Sequence, residues 1–208
     1  MSRRYLLVPV LAVLAAAGCS SSGTSAKPSG TASPSGTASG SGTATPTPTG
    51  TAEALPGSCQ GLLPVIDLDE ALGVPLVGQT TYIKGVAEPK IKRTGRVTCR
   101  FGITKLPNKK SSPPKMEVGV STYNDEAAAT QRVENTVTSL RGDGAKPTDV
   151  QVGGRSATVL TGAGPATLVV ATGNRTIVIS LADKVVPAAN TVKALTAVGN
   201  LAMKNLPQ

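Results

Sequence analysis

Apolar residues recur at every second position over residues 97–104, where Val97, Cys99, Phe101 and Ile103 share one side and Thr98, Arg100 and Thr104 the other. A period of two marks a half-buried strand. Met116, Val118, Val120 and Thr122 repeat it, so the Lys- and Pro-rich segment between the two runs joins two strands. Past residue 124 the period lengthens. Ala129, Val133, Val137 and Leu140 form a helical stripe, opened by the capping sequence Asn124-Asp125-Glu126 and ended at Gly142. Three more strands are expected over 156–161, 166–172 and 175–181, the last two joined through Gly173-Asn174 in a tight hairpin. Val192, Leu195, Val198 and Ala202 then mark a final helix whose first turn tolerates Pro187. Ahead of these elements, Asp67-Leu68-Asp69-Glu70 reads as a short helix with Asp67 and Glu70 in a capping box, stopped by Gly73 and Pro75. Residues 80–86 are a further strand candidate.

The order helix, two strands, helix, three strands, helix predicts one α+β domain over 57–208, an antiparallel sheet of about five strands with helices packed on one face. A domain of this size buries about two-thirds of its unfolded surface. The two halves are loosely alike without amounting to a repeat.

The first 56 residues follow a different pattern. Residues 1–18 combine a charged start (Arg3, Arg4), an apolar run over 5–15 and the small residues Ala16, Ala17 and Gly18, which is the make-up of a signal peptide. The run is shorter than the roughly 20 apolar residues of a membrane span and stops at Ser20. Ala16-Ala17-Gly18-Cys19 resembles the bacterial lipobox, in which the cysteine carries lipid and becomes the first residue of the mature chain. Cys19 is therefore the expected lipid attachment point, and two or more acyl chains, each methylene contributing about 0.8 kcal/mol, would hold the protein on a bilayer. Ser2-Arg3-Arg4-Tyr5-Leu6-Leu7 also resembles a twin-arginine signal, although a plain charged start is the simpler reading. Residues 19–56 then form a spacer. Past Cys19 they are almost wholly Ser, Thr, Gly, Ala and Pro, too poor in apolar surface to offset chain entropy. Such a spacer reaches about 35 Å on average. Its Thr-Pro repeats are candidates for glycosylation, with a bare spacer preferred.

With Cys19 lipidated, Cys59 and Cys99 remain as an even pair, and in an exported chain such a pair reads as a disulfide, the alternative being two buried thiols. Paired, neither is free to act as a nucleophile or metal ligand.

Cys59 before a short acidic helix, Cys99-Arg100-Phe101 on the first clear strand, and Gly153-Gly154-Arg155-Ser156-Ala157 opening a strand together resemble the actinobacterial lipoproteins that carry a domain of unknown function. Phe101 stands where that family often has Trp. The resemblance spans nearly all of 57–208, supports the disulfide, and implies no activity.

Charge narrows the function classes. Taking Arg3, Arg4, Lys27 and Glu53 from the whole-chain 21 basic and 12 acidic residues leaves 18 against 11 in the domain. The excess is local: Lys84, Lys90, Lys92, Arg93, Arg96, Arg100, Lys105, Lys109, Lys110 and Lys115 face only Glu88 between them. Lys84, Lys90, Lys92, Arg93, Arg96, Lys109 and Lys110 form the candidate surface for anionic lipids or cell-wall polymers. The bland alternative is a set of solvated loops. Nucleic acid is not an expected partner, since the compartment is wrong and only Tyr82, Phe101 and Tyr123 of the domain could stack on bases.

The chain has no His, which excludes Ser-His-Asp triads, Cys-His dyads and His-based zinc sites. Ser112-Pro113-Pro114-Lys115 has the Ser-x-x-Lys spacing, but its prolines disfavour the helical turn that would join the two groups. Asp67, Asp69 and Glu70, and again Asp125 with Glu126, read as helix starts rather than catalytic acids, where a negative charge is favoured by about 0.3 to 1 kcal/mol. A carboxylate-based hydrolase would need two of these acids in one cleft. Residues 162–165 read as a turn, and the Asn174-Arg175-Thr176 sequon as incidental. No catalytic residue, metal or cofactor is implied.

The expectation is thus a lipoprotein on the outer face of the cytoplasmic membrane, held there through its lipid anchor, with a non-catalytic binding or sensing domain. The alternative is a carrier of a small apolar ligand or lipid between sheet and helices, in a cavity lined by residues such as Val118, Val120, Ile177 and Ile179.

Overall fold

Seven strands form one antiparallel sheet in the computed structural model, which describes residues 54–108 and 110–207. The signal segment, Cys19, the spacer through residue 53, and Lys109 lie outside the described residues. The chain runs α1 (Cys59–Leu62), α2 (Val65–Leu72), β1 (Gln79–Gly85), β2 (Arg93–Ile103), β3 (Met116–Tyr123), α3 (Glu126–Gly142), β4 (Lys146–Val152), β5 (Arg155–Thr161), β6 (Ala166–Thr172), β7 (Arg175–Leu181) and α4 (Thr191–Lys204). The spatial order is β1-β2-β3-β7-β6-β5-β4. Two meanders, one of three strands and one of four, meet edge to edge where β3 pairs with β7.

The α+β class follows the sequence pattern, but two expectations need correction. The sheet has seven strands, not about five: the candidate over 80–86 is β1, and β4 is wholly additional. β4 reads KPTDVQV and is mostly exposed, an edge strand on which Pro147, lacking an N–H, is tolerated and apolar alternation is weak. The helices also do not share one face. Register aligns Cys99, Val118, Ile179, Leu168 and Val159 across five strands, and Val97, Val120, Ile177, Val170 and Ala157 beside them. These rows form the main core under α1, α2 and α4, where Leu62, Leu68 and Leu195 are fully buried. Gly199 lets α4 approach the sheet, because a Cβ there would lie 3.1 Å from Val152 and 3.3 Å from Leu168. On the opposite face, Val133, Val137 and Leu140 of α3 pack on Leu160, Val169 and Val178. The run Leu168-Val169-Val170 is buried throughout, as a strand covered on both sides requires.

Cys59 is bonded to Cys99, with Cα atoms 5.5 Å apart, and joins α1 to the middle of β2. Closing a loop of this length stabilises by about 4 kcal/mol in the chain-entropy picture. The segment entering the domain lies along β2. Leu55 sits over Gly95, where a Cβ would come within 2.9 Å of its side chain, and the Pro56 carbonyl accepts the Tyr82 hydroxyl at 2.8 Å. The chain therefore enters at the end of the sheet where β2 begins.

α2 is not opened by a capping box. It starts at Val65 behind Pro64 with no side-chain cap, and Asp67 lies inside its first turn. Asp69 instead accepts the Leu76 N–H at 2.9 Å, folding back the segment that follows Gly73, whose φ of 71° ends the helix. Asp125 does cap α3, accepting the Ala128 N–H at 2.7 Å.

Candidate functional site

The alternation that buries Val97 and Cys99 turns Arg96, Thr98 and Arg100 to the other face of β2, opposite Ser121, Gly119 and Glu117 of β3. Thr98, Gly119 and Ser121 are buried here, and the arginines reach solvent. The Arg96 and Arg100 side chains are 38% and 43% exposed, and one carboxylate serves both: Glu117 Oε2 accepts from Arg100 Nε at 2.8 Å, and its Oε1 lies 4.0 Å from Arg96 Nη2. The Arg96 guanidinium lies over Gly119, where a Cβ would stand 3.3 Å from Nη2. Two guanidinium groups on one carboxylate leave an excess positive charge. Arg96 Nε is also buried without a hydrogen-bond partner among the described residues, as is the Nε of Arg93, whose Nη2 pairs with Glu88 at 2.8 Å. Buried polar atoms in native structures mostly find partners, so these donors are incompletely used.

A cleft lies at the same end as the chain entry. After β1, the turn Pro89–Ile91 and Lys92, with φ 56°, bring the chain against the start of α3. The Lys92 carbonyl accepts the Asn124 N–H at 3.0 Å, and its ammonium is 3.6 Å from the cap Asp125. Between the turn and α3 is a space of about 370 Å³ whose polar lining includes Lys90, Lys92, Arg132 and Gln131, with Ile91 and Ala128 supplying apolar surface. Among the described residues no carboxylate lines it. Lys90 and Arg132 have no ion-pair partner among the described residues.

The basic stretch, continuous in sequence, is divided in space. Lys90, Lys92 and Arg93 lie where β2 begins and Arg96 stands on the outward face. Lys84 is exposed on the outer strand β1, opposite Val97. Lys105 and Lys110 lie in the loop after β2, an eleven-residue strand that separates them from Lys92 by about 35 Å. Arg132 is a cleft residue that sequence reading missed. It sits on a helix whose charges resemble any solvated face, and nothing local marks it.

The remaining candidates do not converge. Asp67 and Glu70 border a groove between α2 and α4 that also holds Lys193 and Lys204, while Asp125 and Glu126 begin α3 across the sheet. Ser112 Oγ is engaged, accepting the Thr104 N–H at 2.9 Å and donating to the Pro113 carbonyl at 3.0 Å in a non-helical loop. Among the described residues no three His, Cys, Asp or Glu side chains are grouped to hold a metal. Val118, Val120, Ile177 and Ile179 are each 0% exposed and belong to the main core. No helix among the described residues is long and apolar enough to cross a membrane. Neither a protein-family model nor a curated protein matches the chain.

Proposed function

We propose that this chain is an exported lipoprotein, anchored through Cys19 to the outer face of the cytoplasmic membrane, with a non-catalytic domain that binds or senses anionic partners of the cell envelope. The observation that carries the reading is the arrangement on the outward face of β2, where the partly exposed Arg96 and Arg100 share the carboxylate of Glu117. An anionic group arriving there meets two guanidinium groups that share one negative charge, and charge-assisted hydrogen bonds to their exposed N–H groups would hold it. The lack of His and the lipobox-like Ala16-Ala17-Gly18-Cys19 support a tethered binding domain over a hydrolase. The resemblance to actinobacterial lipoproteins points the same way.

Two measurements test it. Cys19→Ser is expected to move the protein from the membrane to the soluble fraction, and a variant that stays on the membrane removes the anchor. The intact protein is expected to bind anionic vesicles or a soluble wall polyanion with an affinity that falls as salt rises. Salt-insensitive behaviour, or no association with either, removes the anionic partner.

A further inference from the structure

We infer that the cleft between the Pro89–Ile91 turn and α3 docks the domain onto anionic phospholipid head groups of the bilayer that carries its own anchor. The inference rests on the lipid-anchored reading above and specifies which surface meets which partner.

Three observations lead to it. Lys90, Lys92 and Arg132 line one cleft of about 370 Å³ that no carboxylate lines among the described residues. Of the three, Lys92 alone is paired among the described residues, with an Asp125 already committed to capping α3. Like charges lining one cleft repel unless an anion joins them, and a phosphate accepts from ammonium and guanidinium groups alike. Ile91 and Ala128 add apolar surface beside the cations, which suits an interfacial ligand whose charged group adjoins a hydrocarbon part.

The position of the chain entry selects the membrane over a free polyanion. Leu55 is seated on Gly95, three residues along β2 from Lys92, so the chain enters on the main-core face at the same end of the sheet as the cleft on the α3 face. In the sequence, 35 residues from Cys19 to Glu53 precede that point. Lys90 and Lys92 lie at the end of β2 to which the anchored segment leads, whereas Lys105 and Lys110 lie beyond its far end. The nearby acids limit the effect without cancelling it: Glu88 is taken by Arg93, Asp125 is shared between Lys92 and the α3 cap, and Glu126 is exposed on the first turn of α3.

The test is lysine acetylation footprinting, read by mass spectrometry, on the full lipidated protein reconstituted in vesicles. Phosphatidylcholine alone is compared with phosphatidylcholine plus phosphatidylglycerol, and Lys105 and Lys110 serve as internal controls. Anionic vesicles are expected to slow acetylation of Lys90 and Lys92 about fivefold or more relative to the controls, since one basic residue near a charged bilayer contributes about a fivefold factor. Arg132→Glu is expected to remove most of that protection while the protein stays on the vesicles through its lipid. Protection of Lys105 and Lys110 in place of Lys90 and Lys92 overturns the inference, as does equal acetylation on both kinds of vesicle. Protection by soluble polyphosphate but not by anionic vesicles assigns the cleft to a polyanion, which also overturns it while leaving the broader anionic-partner reading standing. Failure of the protein to remain on any vesicle is the separate failure of the anchor.

Discussion

The side-chain amide of Asn205 donates to the carbonyl of Leu62 at 3.1 Å, joining the end of α4 to α1 across 143 positions of sequence. α1 is only four residues long and could not persist alone, since isolated helices below about 12 residues are marginal in water. It stands because Asn205 holds its end, Ser58 caps its start by accepting the Gly61 N–H at 3.0 Å, and Cys59 ties it to β2.

The covalent tie is the largest of the three. Replacing both Cys59 and Cys99 by Ala is expected to lower unfolding stability by about 4 kcal/mol, while Asn205→Ala lowers it by about 1 kcal/mol. Urea unfolding checks both, and reductant should shift the midpoint of the parent protein but not that of the double variant.

Asp67 and Asp69 are neighbours on α2 with different work. Asp69→Ala leaves the Leu76 N–H without its acceptor and is expected to destabilise by about 1 to 3 kcal/mol. Asp67→Ala, an exposed first-turn change, should stay within about 1 kcal/mol. A thermal melt that moved equally for both would show that Asp69 does not fix the segment after the helix.

Gly119 and Gly199 separate a surface fit from a core fit. Valine at Gly199 meets Val152 and Leu168 and is expected to destabilise by about 1 to 3 kcal/mol through overpacking. Valine at Gly119 meets the mobile end of Arg96, so the fold should remain while the guanidinium is pushed from Glu117. Denaturant midpoints read the first change. Weaker salt-dependent binding to anionic vesicles, at nearly unchanged stability, reads the second.

The two faces of the sheet should also differ in sensitivity. Ile179→Ala opens the main core and is expected to lose about 2 to 5 kcal/mol. Val137→Ala, at the half-buried interface under α3, should lose less because the site can relax toward solvent. Chemical denaturation of the two single variants checks the order, and a larger loss at Val137 would make α3 the principal cover of the sheet.

Most elements were legible because their signals are local. Period-two runs located β2 and β3, strand candidates between turn signals located β5, β6 and β7, a helical stripe located α3 and α4, Gly173-Asn174 located a hairpin, and Asp125 marked a true cap. The capping box at Asp67 failed for a physical reason: Pro64 starts α2 earlier, so Asp67 falls inside the helix and its neighbour Asp69 bonds to a later segment. β4 escaped notice because an edge strand needs no apolar face. The unbroken apolar run in β6 carried a trace of the two-sided burial that the expected one-faced packing overlooked.

By itself, the sequence determined the α+β class, the spacing of the strands, the pairing partners left among the cysteines, and the absence of imidazole chemistry. All of these depend on residue counts or on neighbours a few positions apart. Only the tertiary structure decided that α3 crosses to the far face and that the basic stretch divides between opposite ends of β2. It alone brought Arg132 to Lys90 and Lys92. Those outcomes depend on strand register and on the direction in which α3 leaves β3, which no local pattern encodes, because they are settled by which apolar surfaces must be covered once all seven strands have paired.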